Sequence, residues 1–171
     1  GDQGIIFNSE CTINITDTQK KMGDLLVHIG KIKKGSIKIG QSVNLEIDIE
    51  KRNNSRANHS ATHLLHESLR RTLGKHVTQK GSLVTPDRLR FDFSHNKPIE
   101  MREMSEINKT VNEIIEGSTD VRTRIMTPKE AMKMGALALF GEKYGEEVRV
   151  VFIGKESNGF FSTELCGGTH V

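Results

Sequence analysis

The chemistry in this chain begins with two histidines inside a short apolar stretch. His59 and His63 are four residues apart within Asn58–His66, whose alanine, threonine and leucines are typical of a helix. Residues four apart lie on one face of a helix, so both imidazoles would point the same way and could bind one metal ion. Histidine is also a common surface or core residue, so this pair alone does not establish a metal site.

A second pair of ligand-type residues lies at the far end of the chain. Cys166 and His170 are separated by three residues, and Gly167 and Gly168 between them permit a tight turn. A turn of this kind can direct a thiolate and an imidazole at one point. Three imidazoles and one thiolate together make a four-ligand set that suits zinc.

Five blocks of sequence closely resemble the editing domain of bacterial alanyl-tRNA synthetase. The blocks occur in the family's order and spread over nearly the whole chain. They cover residues 58–66, 79–84, 89–95, 138–144 and 162–170. Free-standing AlaX-type editing proteins and the editing domain of threonyl-tRNA synthetase are more distant relatives of this family.

The resemblance implies a zinc-dependent aminoacyl-tRNA deacylase. Its substrate would be tRNA(Ala) that wrongly carries serine or glycine, and its metal ligands would be His59, His63, Cys166 and His170. His66 would then not bind the metal, but would either support one of the ligands or belong to the core. A pocket for alanine cannot strongly reject glycine or serine, which explains why a second, hydrolytic site is needed. The parent ligase would attach alanine to tRNA(Ala) with ATP through regions absent from this chain.

Three polar residues are the candidate catalytic residues: Gln79, Asp92 and Glu164. Editing must recognise the serine hydroxyl through polar groups, because alanine is smaller than serine and size alone cannot protect it. The resemblance places Gln79 in this pocket, although its type also fits an amide that caps a loop. Glu164 precedes Cys166 by two residues and would share its side of a strand, either as an active-site carboxylate or as a partner that orients a ligand.

Four further residues are candidates for contact with the substrate or tRNA: Thr62, Arg70, Arg71 and Lys80. Thr62 faces away from His59 on an ideal helix. Arg70 and Arg71 lie in the last helical turn, where a cation interacts favourably with the helix dipole and could equally contact an RNA phosphate.

A second class of function stays open, that of a tRNA-binding or docking module whose zinc is purely structural. Four protein ligands are typical of closed structural sites. Structural zinc in small modules more often uses closely spaced cysteines, however, whereas three of these four ligands are histidines from a helix and a distant turn. A metalloprotease of the HExxH type is excluded at His66, because position 70 is arginine.

Composition is that of a globular, water-soluble protein of 171 residues, with 35% apolar and 27% charged residues. The chain has two cysteines, which suits a reducing cytoplasm rather than a disulfide framework. No apolar run reaches the ~20 residues of a membrane helix. The net charge of +3 permits nucleic-acid binding without requiring it. We expect a cytoplasmic monomer with tRNA as its partner and no membrane or DNA partner.

The expected fold is α+β in two parts. Alternation of apolar and polar residues predicts a small antiparallel β-barrel over residues 1–50, and the polar residues 51–56 predict a linker. Residues 57–171 would form the zinc-containing domain, C-terminally truncated, with helices packed on an antiparallel sheet. Its first helix would run from an N-cap at Asn58 to a stop at Gly74.

The remaining elements of the larger part follow from periodicity and turn signals. We predict a hairpin over 81–94, a helix that ends at Gly117 and a third helix that starts with a capping box at Thr127. Ala131, Met134, Leu137 and Ala138 would form the buried face of that third helix. Strands are predicted over 121–126, 148–153 and 160–165.

Overall fold

The computed structural model describes residues 1–23, 25–137, 145–155 and 159–171. Within these ranges the chain forms antiparallel sheets and three helices, which confirms the α+β class. It divides into two compact units, Gly1–Asn54 and Ser55–Val171. None of the described helices is long and apolar enough to cross a membrane.

The first unit contains a four-stranded sheet in the order β3-β2-β1-β4. Its strands are β1 (Gly4–Phe7), β2 (Thr12–Lys21), β3 (Leu25–Lys34) and β4 (Asn44–Ile47). Among the described residues the two outer strands do not pair, so the sheet is open and the expected closed barrel is absent. Residues 37–39, whose alternation suggested a strand, lie in the connection between β3 and β4. Alternation predicts a two-faced sheet, but it does not show whether the outer strands meet.

Helix α1 spans Ile49–Leu73, so it begins well before the predicted start at Asn58. Asp48 caps it, since its side chain accepts a hydrogen bond from the main-chain N–H three residues later at 3.0 Å. Residues 51–56 are therefore helical rather than an irregular linker, although the division between the two units falls within them. Their side chains are polar because this stretch is largely solvent-exposed, and polar helix surface and polar loop look alike in sequence. Gly74 follows the helix with a φ of 117°, as expected of a C-terminal stop.

The predicted hairpin is present as β5 (Gln79–Val84) and β6 (Leu89–Phe93), paired antiparallel. The main-chain N–H of Thr85 donates to Arg88 O at 2.9 Å and closes the turn. Asn58, which lies inside α1, donates from its side-chain amide to Thr85 O at 2.8 Å. The residue that we expected to cap the helix therefore ties the helix to this turn.

Helix α2 (Met101–Glu116) lies where the second predicted helix does, and Gly117 follows its last residue. A capping box formed by Glu100 and Glu103 provides hydrogen-bond acceptors for main-chain N–H groups at the start of this helix. Ile107 is buried in the core, whereas Met101 and Met104 are 83% and 50% exposed. The two methionines are therefore not part of the core.

A three-stranded antiparallel sheet, in the order β7-β8-β9, forms the centre of the second unit. Its strands are β7 (Val121–Met126), β8 (Val148–Ile153) and β9 (Ser162–Leu165), all within the predicted ranges. Helix α3 (Pro128–Lys133) follows β7 and begins with the predicted capping box at Thr127. Because α3 is short, most of its predicted buried face lies beyond its end, and the part at 138–144 lies outside the described residues.

The middle strand β8 is buried on both faces. Val150 and Phe152 pack with the α3 region through Ala131 on one face. Val151 and Ile153 pack with Leu64 of α1 on the other face. Helix α1 and strand β9 are therefore both held against β8.

Removing a large side chain from this core tests the packing. Phe152 is 1% exposed, so Phe152→Ala should lower the free energy of unfolding by about 3–5 kcal/mol through lost burial and a cavity. Ile125→Ala, on the neighbouring strand and 69% exposed, is the matched control and should cost much less. Urea unfolding followed by circular dichroism measures both, and equal losses would contradict this description of the core.

Candidate metal centre

The two predicted ligand pairs meet in the second unit. One ligand atom from each of His59, His63, Cys166 and His170 lies within 4.8 Å of the other three. The rings of His59 and His170 are 4.4 Å apart between centroids, and Cys166 Sγ is 3.4 Å from His59 Nε2. In a tetrahedral zinc site with bonds of about 2.0–2.3 Å, neighbouring ligand atoms are ~3.3–3.8 Å apart. Small side-chain movements would therefore allow all four residues to bind one ion.

Two imidazoles of the cluster have a buried nitrogen without a partner. His63 and His170 are buried, and within the described residues their Nε2 atoms make no hydrogen bond. Their other nitrogens are engaged: His63 Nδ1 lies 2.7 Å from Glu164 Oε2, and His170 Nδ1 lies 3.4 Å from Ser60 Oγ. A buried polar atom without a partner costs free energy, and a metal ion would remove that cost. The residues present thus fit a metal ion bound through Nε2.

Glu164 holds one of these rings. Glu164 is 4% exposed, and the oxygen that does not face His63, Oε1, accepts a hydrogen bond from Ser162 Oγ at 3.2 Å and lies 3.2 Å from His66 Nδ1. Burial alone would raise the pKa of Glu164, but its interactions with the imidazoles of His63 and His66 lower that pKa to about 2. Of the two roles that the sequence left open, this geometry favours orientation of the ligand His63.

The pKa of the Cys166 thiol, like that of Glu164, is lowered by neighbouring imidazoles. Burial would raise the pKa of this thiol, but the neighbouring imidazoles of His170, His59 and His63 lower that pKa to about 3. A thiolate is the form of cysteine that binds metals. Burial would lower the pKa of His63, yet the Cys166 sulfur and Glu164 raise it to about 9. Without a metal, His63 therefore carries a proton between two anions.

The two glycines of the Cys166–His170 turn differ in what they allow. A Cβ at Gly168 would lie 2.1 Å from Cε1 of His59, whereas a Cβ at Gly167 would meet nothing within 4 Å. Neither glycine is among the residues with positive φ. The turn therefore needs Gly168 for the space that the His59 ring occupies, rather than for a left-handed backbone.

Gln79 and Asp92 lie on the β5–β6 hairpin. Gln79 Nε2 donates to Ser82 Oγ at 3.3 Å, and Asp92 accepts from Arg90 Nε at 3.1 Å. A Cβ at Gly81 would lie 2.9 Å from Asp92 Oδ2, so the Asp92 side chain crosses the hairpin there. The hydrogen bonds of these two candidates are made within the hairpin and do not join them to the cluster.

The substrate-contact candidates lie along α1 and β5. The Thr62 hydroxyl is buried and donates to a main-chain carbonyl one helical turn earlier at 2.8 Å. Arg70 donates to two carbonyls of the loop after the helix, and Arg71 donates to Phe161 O at 2.8 Å. Lys80 is exposed on β5. Both arginines thus donate hydrogen bonds to main-chain carbonyls. The sequence suggested only an interaction with the helix dipole or with an RNA phosphate.

Three residues that we did not identify from the sequence contact the ligand segments: Arg56, Ser60 and Arg149. Arg56 and Ser60 share one helical face with His59 and His63, so periodicity could have found them. The predicted start of α1 excluded Arg56 from that face. Arg149 lies outside every motif, and no local pattern indicates it.

Curated proteins similar to this chain are alanine--tRNA ligases. That of Parvibaculum lavamentivorans is 57% identical over 175 residues, and those of Mesorhizobium japonicum and Chelativorans sp. are each 54% identical over 176 residues. Each match covers 100% of this chain and 20% of the relative. No protein-family model matches. The chain is therefore homologous to a segment of alanine--tRNA ligase and spans about a fifth of the length of these relatives.

A pair of glycine substitutions tests the geometry of the turn. Gly168→Ala should lower zinc affinity by about 10–100-fold, because the new methyl group would displace His59 from its position as a ligand. Gly167→Ala is the matched control and should change the affinity little. Titration against a competing chelator measures both, and equal affinities for the two variants would contradict the geometry.

The raised pKa of His63 predicts how metal affinity depends on pH. The proton that His63 holds below pH 9 must leave before Nε2 can bind a metal, whereas Cys166 is already a thiolate. Affinity should therefore fall by about tenfold for each pH unit below about 9. Zinc titration from pH 6.5 to 8.5, corrected for the chelator's own protonation, measures this slope. A flat profile would show that no ligand loses a proton on binding.

Proposed function

We propose that this chain is the editing domain of an alanine--tRNA ligase, an esterase that hydrolyses serine or glycine from wrongly charged tRNA(Ala). The observation that carries the proposal is the convergence of three histidines and one cysteine in a chain homologous to that ligase. The second unit, close to the 57–171 part expected from the sequence, would be the hydrolytic domain. Like other proteins of translation, it would act in the cytoplasm.

Zinc is the metal that this donor set suits. Imidazole and thiolate are its preferred ligands, and among the described residues the buried Nε2 atoms of His63 and His170 have no hydrogen-bond partner. When bound, zinc acts as a Lewis acid that can polarise an ester carbonyl and can lower the pKa of water.

The residues around the ligands supply orientation and charge. Glu164 holds the His63 ring by its Nδ1 atom, so that Nε2 is the free nitrogen. The Cys166 thiolate contributes the negative charge of the ligand set. We therefore assign Glu164 to the support of His63 rather than to direct proton transfer to the substrate.

Selection of serine over alanine would fall to polar side chains of the β5–β6 hairpin. The Gln79 amide can both donate to and accept from a hydroxyl group, and Asp92 can accept. An alanyl ester offers no hydroxyl, so it would leave such groups without a partner. Thr62 is a weaker candidate, because its own hydroxyl already donates to a carbonyl within the helix.

Contact with tRNA would come from cationic side chains at the end of α1 and on β5. Arg71 is 50% exposed at its side chain and Lys80 is exposed, so both remain accessible to a phosphate. Arg70 makes two hydrogen bonds to main-chain carbonyls, which favours a structural contribution from that residue.

Cys166→Ala separates the esterase from the alternative, a docking module with purely structural zinc. Loss of the thiolate should lower the deacylation rate of seryl-tRNA(Ala) by more than about 100-fold, because the site loses its metal. Affinity for tRNA at fixed salt should change much less, since it depends on distributed cationic side chains. The fold should largely survive, because Leu69 packs α1 against Val77 and Ile107 in a cluster that does not include Cys166.

The matched control is Cys11→Ala, which removes the other cysteine, buried in the first unit. This variant should keep both its zinc and its deacylase activity. A structural-zinc module would instead lose its thermal stability and tRNA affinity together in Cys166→Ala. Full deacylation by metal-free, folded Cys166→Ala would exclude zinc from the reaction.

A further inference from the structure

The segment that carries two of the four ligands has no regular secondary structure of its own. Residues 166–171 follow β9 and belong to no helix or strand. One main-chain hydrogen bond anchors its start, from Cys166 N–H to Arg149 O at 3.0 Å. The positions of Cys166 and His170 must therefore depend on side chains that bind this segment.

Arg149 binds the first half of the segment from strand β8. Its Nη1 donates to Cys166 O at 3.2 Å and also donates to Gly168 O. One guanidinium group thus joins two carbonyls on either side of Gly167. Because it also accepts the Cys166 N–H at its own carbonyl, Arg149 determines the shape of the turn at the thiolate.

Arg56 binds the second half of the segment from helix α1. Its Nε donates to His170 O at 2.7 Å. Ser60, one turn further along the helix, accepts the Val171 N–H at 3.2 Å and lies 3.4 Å from His170 Nδ1. The helix that supplies His59 thus also fixes the ligand that comes from the other end of the unit.

We infer that Arg149 and Arg56 are positioning residues of the metal centre, whose guanidinium groups hold the main chain of residues 166–171 so that Cys166 and His170 meet the histidines of α1. The hydrogen bonds of both arginines to this segment go to its main-chain carbonyls. The inference requires that the cluster binds a metal ion, but it does not require the proposed esterase reaction. An arginine suits this task because its planar group presents several donors in fixed directions.

The test is metal binding by the full chain, with cobalt(II) as a spectroscopic probe and zinc in competition with a chelator. Arg149→Gln and Arg56→Gln should each lower the affinity for both metals by about 10–100-fold and weaken the thiolate-to-cobalt charge-transfer band. Arg149→Lys should recover part of the loss, since an ammonium group can still reach one carbonyl. The melting temperature of the metal-free protein should change little.

Arg70→Gln is the matched control, because Arg70 also binds two main-chain carbonyls from α1 but contacts Lys75 and Val77 instead of the ligand segment. It should leave metal affinity and the cobalt spectrum unchanged. The inference is overturned if both glutamine variants bind cobalt within about twofold of the unmodified protein with the same spectrum, or if Arg70→Gln loses as much affinity. If Arg149→Gln fails to fold, Arg56→Gln and Arg149→Lys decide the question. An unmodified protein that binds neither metal would contradict the metal centre itself as well as this inference.

Discussion

The hydrogen bond between His63 and Glu164 is the interaction on which the rest of the site depends. It joins residues 101 positions apart in sequence, one on α1 and one on β9, and both are buried. A buried ionised carboxylate without a partner is strongly destabilising, so the two elements must stay in register. The same bond determines which nitrogen of His63 faces the other ligands.

The hydrophobic core holds helix α1 and strand β9 at the separation that the His63–Glu164 hydrogen bond requires. Leu64, next to His63, packs against Val151 and Ile153 of β8, and β9 pairs with the same strand. Strand β8 therefore positions both helix α1 and strand β9, from which the ligand segment continues. Side chains packed at interior density transmit small displacements, so the core and the metal geometry are mechanically coupled.

Charge links the site to the chemistry proposed for it. The pKa values of Cys166 and Glu164 are lowered, although Glu164 is buried and Cys166 is half-buried, because imidazoles surround both groups. In the metal-free protein the proton on His63 compensates part of this charge, and a bound cation would replace that proton. The arrangement therefore favours a divalent ion over an empty cluster, as an esterase that uses a Lewis acid requires.

The sequence alone predicted the four residues of the cluster and most of the strands and helices of the second unit. The spacing of His59 and His63 and the chemistry of Cys166 and His170 are local properties, and so are the capping box at Thr127 and the hairpin turn. Only the tertiary structure decided that the first sheet is open, since closure depends on whether distant strands pair. It also decided that residues 51–56 are helical and that Arg56 and Arg149 hold the ligand segment. Sheet closure and the two arginine contacts depend on residues far apart in the chain, and local periodicity carries no record of such contacts. The helix over 51–56 was missed for a different reason, because an exposed polar helix and a polar loop look alike in sequence.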